Sequence, residues 1–182
     1  MRQTLDQFFA EISKRAFRFA ELGLRNRDDA LDAVQDTMLR MMQYRDLPSV
    51  EWTPLFWKIL RTRIIDIQRR SNSRLRWLVQ GSSLSSRNGR DGESFEPDWL
   101  GVDSDDPAGE LEARQTYAAL ATALTALPER QREAFYLRVV EQLDVAQTAS
   151  VMGCSEGSVK THLSRARQAI EKQINWDSNN ES

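Results

Sequence analysis

The sequence predicts an all-α protein of two small helical domains joined by a flexible acidic linker, with a helix-turn-helix in the C-terminal domain. Apolar residues recur at spacings of three and four through residues 1–80 and again through 110–175, as in helices that bury one side. Residues 81–109 lose that spacing and are rich in Gly, Ser and Asp, which is typical of a linker. Two short helical patterns flank Gly153, and this arrangement predicts the helix-turn-helix.

The N-terminal domain is predicted to contain three helices. The first ends at Gly23, and the second begins at Asn26, whose side chain can cap it. After a turn-rich loop, Arg45–Thr53, the third helix begins at Pro54. The apolar stripe of the second helix is expected to be buried and consists of Leu31, Val34, Met38, Met41 and Met42.

The outer face of the second helix combines acidic and amide side chains with a leucine: Asp32, Gln35, Asp36 and Leu39. An exposed leucine among acids indicates a surface for a partner, and the alternative is an ordinary solvated face. Because Asp36 is expected on this outer face, reversing its charge is predicted to leave the stability of the fold nearly unchanged.

Cations and tryptophans interleave along the third helix and the loop before it. The side of the helix away from Phe56 and Leu60 carries Lys58, Arg61 and Arg69. Arg70 adds charge nearby, and Trp52 and Trp57 lie among these cations. Aromatic rings can stack on unpaired bases while cations hold phosphates, so this pattern favours binding of single-stranded nucleic acid. The alternative is that the tryptophans belong to the core.

The C-terminal domain contains a helix predicted from Pro128 through Val140, with its two final valines largely buried. The helix-turn-helix LDVAQTASVMGCSEGSVKTHLSRARQAI follows. On its second helix, one side is apolar, with Val159, Leu163, Ala166 and Ile170, and the other is polar, with Lys160, Thr161, Ser164 and Arg165. Cations for phosphates and forked donors for base edges suit a helix in the major groove. The alternative is an ordinary helical hairpin with a solvated face.

The charge distribution supports nucleic-acid binding more than the net charge of −2 does. Residues 1–80 carry 15 Lys and Arg against 10 Asp and Glu, and residues 113–182 carry 8 of each. Residues 81–112 carry 2 against 9. Because the acids are concentrated in the middle, the two flanking domains can still present basic faces.

Several classes of protein are not expected from this composition. No run of about 18 apolar residues is present, so direct insertion into a membrane is not predicted. A single Cys suits a reducing compartment, here the cytoplasm, and one His with one Cys predicts neither a metal site nor a cofactor. Nucleotide-binding and hydrolase motifs are absent from the sequence, so enzymatic activity is not expected.

Three segments in order resemble the extracytoplasmic-function sigma factors, a compact group of bacterial sigma-70 family sigma factors. DALDAVQDTMLRMM is similar to their polymerase-binding segment, and FWKILRTRIIDIQRR to their promoter-melting helix. LPERQREAFYLR, followed by GCSEGSVKTHLSRAR, is similar to their second DNA-binding domain. Residues 1–80 would then be sigma domain 2, residues 81–109 the acidic linker, and residues 110–175 sigma domain 4.

The resemblance implies the partners and the role of each site. Core RNA polymerase would be bound by Asp32, Gln35, Asp36 and Leu39. The loop Arg45–Thr53 and the helix Pro54–Arg70 would hold the separated strand of the promoter −10 element through Trp52, Trp57, Lys58, Arg61, Arg69 and Arg70. The −35 element would be contacted by Ser158, Lys160, Thr161, Ser164, Arg165 and Arg167. Members of the family are usually held inactive by an anti-sigma factor.

Two other functions remain open at this point. The segment SVKTHLSRARQAI also resembles the helix-turn-helix of LuxR-like transcriptional regulators, although residues 1–109 show no strand pattern for an upstream receiver or sensing domain. A polymerase-binding adaptor that never contacts DNA is the other possibility. The basic helix and the polar recognition face argue against the adaptor.

Overall fold

The structure, a computed structural model, describes residues 4–80 and 120–180, with side chains described through residues 72 and 173. Within these stretches the regular elements are helical and no strand occurs, which confirms the predicted all-α class. The chain divides into two compact units, Met1–Phe95 and Glu96–Ser182. The linker predicted over residues 81–109 lies outside the described residues.

The N-terminal unit contains three helices: α1 (Leu5–Leu24), α2 (Arg27–Met41) and α3 (Ser49–Gln80), with a short 3-10 turn at Met42–Tyr44. The capping of α2 by Asn26 is confirmed, because its side-chain oxygen accepts a hydrogen bond of 2.9 Å from the Asp29 backbone N–H. α2 packs against both α1 and α3, so the three helices form a single core.

α3 begins at Ser49, and the prediction that it begins at Pro54 was wrong. The loop predicted over Arg45–Thr53 is therefore helical in its second half. Burial of Trp52, which is 4% exposed, stabilises this extra turn. Pro54 cannot donate a hydrogen bond to the carbonyl of Val50, but Val50 is 76% exposed, so water can solvate that carbonyl.

The buried side of α2 is rotated from the predicted stripe by about one residue. It consists of Ala30, Ala33, Val34, Thr37 and Met41. Ala30 and Ala33 are fully buried because their small side chains let the neighbouring helices approach closely. As a result, Leu31 and Met42, predicted to be buried, are 41% and 50% exposed.

The C-terminal unit begins, in the described residues, with the end of a helix at 120–126, here called α4. It continues with α5 (Glu129–Phe135), a π-helical turn (Tyr136–Val140), α6 (Val145–Met152) and α7 (Glu156–Asn180). α4 and α7 share one core cluster, which consists of Ala123, Leu124, Leu127, Ala166 and Ile170.

The helix predicted to run through Val140 becomes a π-helical turn after Phe135. The Glu141 backbone N–H donates to the Tyr136 carbonyl at 3.0 Å, a bond across five residues instead of four. This wider turn directs Val139 and Val140 outward, and they are 39% and 38% exposed. The prediction that both valines are largely buried was therefore wrong.

The turn between α6 and α7 is formed as predicted. Gly153 has φ +63° in the left-handed region, where a residue with a Cβ is strained. The Asp144 side chain caps α6 by accepting from the Gln147 backbone N–H at 2.7 Å. Ser155 Oγ accepts from the Ser158 backbone N–H at 3.2 Å at the start of α7. The helix-turn-helix is thus closed by local hydrogen bonds at each helix start.

Two glycines of this motif provide a matched pair of stability tests. Gly153→Ala is expected to destabilise the C-terminal unit by about 1–2 kcal/mol, because its φ is positive although a Cβ would meet nothing within 4 Å. Gly157→Ala is expected to stabilise the unit by about 0.5–1 kcal/mol, since alanine is the better helix residue. A Cβ at Gly157 would lie 3.9 Å from its nearest neighbour, Ser155 Oγ. Urea unfolding of both variants measures the two changes in the free energy of unfolding. If both substitutions change it in the same direction, the assignment of Gly153 to the left-handed turn and Gly157 to α7 is contradicted.

Candidate nucleic-acid and partner-binding surfaces

The outer face of α2, here called the α2 face, consists of Asp32, Gln35, Asp36 and Leu39. The structure brings these four residues together on the side away from the core. Asp32 and Gln35 are exposed, and Leu39 is 69% exposed. Because Leu31 and Met42 are also outward, the exposed apolar area along this helix is larger than the sequence predicted. Several large apolar side chains left in solvent on one helix indicate a partner surface.

Asp36 differs from its neighbours on this face because it forms a salt bridge to α3. Its Oδ2 lies 2.6 Å from Nη2 of Arg63, and the two side chains are 41% and 17% exposed. Charge reversal at Asp36 would therefore break this salt bridge, a cost that the sequence did not indicate. An arginine there would oppose Arg63 and leave that guanidinium without its carboxylate.

The basic stripe of α3 consists of Lys58, Arg61 and Arg69, and Arg70 adds a further cation beside it. Lys58, Arg69 and Arg70 are exposed, and Arg61 is half-buried. Lys58 and Arg69 are separated by three turns, or about 16 Å along the helix axis. The opposite side of α3 is buried through Phe56 and Leu60, both 0% exposed. The stripe is thus a row of cations on a helix whose other side is fixed in the core.

The two tryptophans of the predicted −10 site are core residues. Trp57 is 0% exposed, and its ring centroid lies 5.2 Å from Phe19 and 5.8 Å from Phe56, both edge to face. Trp52 is 4% exposed and lies 5.8 Å from Phe8. The prediction that Trp52 and Trp57 contact DNA is therefore wrong for the folded unit, since no ring face is open to a base.

Trp52 nevertheless has a structural role, because it fixes the segment that precedes α3. Its Nε1–H donates to the Tyr44 carbonyl at 3.3 Å and joins the 3-10 turn to the start of α3. At a later turn, Gln68 Nε2–H donates to the Gly23 carbonyl at 3.1 Å. A Cβ at Gly23 would lie 3.2 Å from Ile64 Cγ2, so glycine permits this close approach of α1 and α3. Helical spacing alone did not indicate these contacts, which link different elements of the unit.

The outward side of α7, here called the reading face, consists of Lys160, Thr161, Ser164, Arg165 and Arg167. All five residues are exposed. On the opposite side, Val159 and Ala166 are 0% exposed and Ile170 is 6% exposed. The predicted division of this helix into a packed side and a polar side is confirmed. The reading face leaves two arginines and a lysine available for a ligand outside the unit.

Ser158, the sixth residue predicted to contact the −35 element, is half-buried and takes part in capping α7. Its Oγ lies 2.9 Å from Ser155 Oγ. Thr161 also makes a local hydrogen bond, because its Oγ1–H donates to the Gly157 carbonyl at 3.0 Å. The Thr161 hydroxyl therefore presents its oxygen to solvent mainly as an acceptor.

Arginines of the preceding helix and turn hold the helix-turn-helix in place. Arg130 Nη1–H donates to the Met152 carbonyl at 2.8 Å, at the end of α6. Arg138 Nη1–H donates to the Leu143 carbonyl, just before α6 begins. Both ends of α6 are thereby tied to the segment of α5 and the π-helical turn. Neither arginine was predicted to have this role, because the spacing of apolar residues carries no signal for contacts between helices.

In the described parts of both units, no group of three or more His, Cys, Asp and Glu side chains is arranged to hold a metal ion. Within the same residues, no helix has the length and hydropathy needed to cross a membrane.

Similarity to known proteins covers both units. Residues 117–170 match the family "Sigma-70, region 4". The RNA polymerase sigma-H factor of Pseudomonas aeruginosa is 34% identical over 84 residues, which are 46% of this chain. The chain thus spans only 44% of that relative's length. The ECF RNA polymerase sigma factor SigM of Mycobacterium tuberculosis is 26% identical over 176 residues, which cover 96% of this chain and 79% of SigM.

A solved structure shows the same fold. The sigma factor RpoE of Bartonella quintana, solved in complex with the anti-sigma factor NepR, superposes with a TM-score of 0.61 at 24% identity. The match covers 92% of this chain and 96% of that chain. The helix-turn-helix region thus matches sigma-70 region 4, and nearly the whole chain is similar to an ECF RNA polymerase sigma factor.

Proposed function

We propose that this protein directs core RNA polymerase to specific promoters. In this function the α2 face binds the polymerase, the basic stripe holds the opened strand at the −10 element, and the reading face contacts the −35 element. The observation that carries the proposal is α7, where an exposed cationic side opposes a buried apolar side within a helix-turn-helix.

The reading face suits the major groove in both shape and chemistry. Val159, Ala166 and Ile170 fix α7 on the rest of the unit, so its outward side chains project from a rigid support. Arg165 can donate two parallel hydrogen bonds to one guanine, and Lys160 can neutralise a phosphate. Ser158 is assigned to capping the helix and to placing its first turn, where backbone N–H groups can approach a phosphate.

The basic stripe supports strand holding without help from the tryptophans. Lys58, Arg69 and Arg70 are exposed along one helix, so they can follow several successive phosphates of a single strand. Trp52 and Trp57 hold α3 in the core behind this row of cations. Residues 45–48 are the part of the predicted loop that remains outside α3, and together with the preceding 3-10 turn they would lie beside the strand.

The partners follow from the same surfaces. Core RNA polymerase is proposed for the α2 face, because Leu39 is apolar and highly exposed among acidic neighbours. An anti-sigma factor is proposed as a further partner, since the structurally similar sigma factor RpoE was solved with one. No cofactor and no catalytic reaction are part of the proposal.

Run-off transcription with purified core polymerase tests the proposed function. The protein is expected to give transcripts from a cognate promoter, and gel shift is expected to show tight binding only when core polymerase is present. Tight sequence-specific binding without polymerase would favour a LuxR-like regulator. Polymerase binding with no sequence preference would favour the adaptor. Either result would overturn the proposal.

Polymerase docking is tested by two apolar-to-acidic changes in the same unit. Leu39→Asp is expected to weaken binding to core polymerase about tenfold or more, because it puts a charge at the apolar centre of the α2 face. Val50→Asp is the matched control, since Val50 is 76% exposed and lies outside that face. Both variants should keep a stability within about 0.5 kcal/mol of the wild type. Equal affinity of the two variants for polymerase would show that the α2 face is not the docking surface.

A further inference from the structure

Arg63 lies on the helix that carries the basic stripe, yet its guanidinium is turned toward α2. Its side chain is only 17% exposed, and Nη2 lies 2.6 Å from Oδ2 of Asp36. Its Nε is buried and has no hydrogen-bond partner among the described residues. The salt bridge to Asp36 is therefore the main polar contact of this guanidinium within the described part of the unit.

We propose that Arg63 is a positioning residue for polymerase docking, which acts by fixing the carboxylate of Asp36 in the α2 face. This inference rests on the proposed function, because it assumes that the α2 face binds polymerase. It also assigns Arg63 a role different from that of Lys58, Arg69 and Arg70, whose side chains are exposed to solvent.

Stability alone does not account for the pair. A guanidinium that is largely removed from water and retains one unsatisfied nitrogen is costly, and apolar replacements of such pairs are often neutral or stabilising. What the pair does provide is geometry, because a short charge-assisted contact between Nη2 and Oδ2 holds the Asp36 side chain in one direction.

The direction of that carboxylate matters because Asp36 remains partly open. The salt bridge uses Oδ2, and the side chain is still 41% exposed, so Oδ1 can meet a cation of a partner. Fixing the side chain before docking removes the entropy cost of ordering it during binding, which corresponds to about a three- to tenfold gain in affinity. The salt bridge also connects the helix proposed to bind polymerase to the helix proposed to hold DNA.

A double-mutant cycle on the full-length protein tests this role. The variants are Arg63→Gln, Asp36→Asn and the double variant, with Arg63→Lys as the conservative change. Affinity for core polymerase is measured at a temperature where circular dichroism shows each variant fully folded. Arg63→Gln is expected to weaken binding about three- to tenfold, and Arg63→Lys less, because lysine keeps the positive charge that attracts Asp36 but does not place a donor where Nη2 lies. In the Asp36→Asn background, Arg63→Gln should weaken polymerase binding by less than about a further twofold.

The alternatives give different results. Wild-type affinity for Arg63→Gln would show that the salt bridge serves the fold only, and would overturn the inference. The inference would be overturned as well if Arg63→Gln weakened polymerase binding equally in the wild-type and the Asp36→Asn backgrounds, because Arg63 would then act independently of Asp36. Leu39→Asp, measured in parallel, reports on the α2 face itself. If that variant binds normally, the docking proposal fails, and the failure is not specific to Arg63.

Discussion

Replacing Trp57 by alanine is expected to cost the N-terminal unit about 3–5 kcal/mol of its free energy of unfolding, enough to unfold a marginal domain. Trp57 is 0% exposed and packs edge to face on Phe19 and Phe56. Truncation would leave a cavity between the Phe19 ring of α1 and the Phe56 ring of α3. Urea unfolding followed by circular dichroism measures the loss.

The neighbouring residue provides the control for this prediction. Lys58 is exposed, so Lys58→Ala should change stability by no more than about 0.5 kcal/mol while weakening promoter binding. Trp57→Phe should keep most of the stability and should open promoters normally. A folded Trp57→Phe variant that binds polymerase but no longer opens promoters would show that the ring contacts DNA, contrary to its burial.

The second large effect is expected at Arg165 on the reading face. If Arg165 forms a bidentate contact with a guanine, Arg165→Ala should cost about 1–3 kcal/mol of binding free energy and relax the preference at one base pair. Because Arg165 is exposed, the stability of the C-terminal unit should not change. Binding of holoenzyme to matched and singly mutated −35 sequences measures both the affinity and the preference.

Lys160→Ala is the comparison for this experiment. A lysine that only neutralises a phosphate should weaken binding to all sequences equally and reduce the dependence of affinity on salt. Measuring both variants at two salt concentrations therefore distinguishes base reading from phosphate binding. If neither variant alters binding to the −35 element, α7 does not lie in the major groove and the proposed function loses its main support.

Local signals in the sequence were sufficient for the helix-turn-helix. Gly153 marks the end of α6 because few other residues adopt its positive φ without strain. The apolar spacing of α7 indicated the packed side correctly, because that helix has one neighbour-facing side and one solvent-facing side. The exposure of the reading face followed from the same spacing.

Packing between helices determined what the sequence analysis missed. The buried side of α2 depends on the close approach allowed by Ala30 and Ala33, which spacing of large apolar residues does not reveal. The early start of α3 depends on the burial of Trp52 against Phe8, which lies 44 residues earlier in the sequence and on another helix. The salt bridge of Arg63 joins side chains on two helices, so neither helix alone predicts it.

The two sides of α7 differ in how freely their residues can be substituted during evolution. Val159 and Ala166 maintain the fold, while Lys160, Ser164 and Arg165 stand in solvent. Substitutions at the outward positions therefore leave the protein folded and are not removed by selection against unfolded variants. The reason is that surface changes away from special features alter stability little. A duplicated gene could acquire a new set of target promoters through a few outward substitutions, while both copies remained equally well folded.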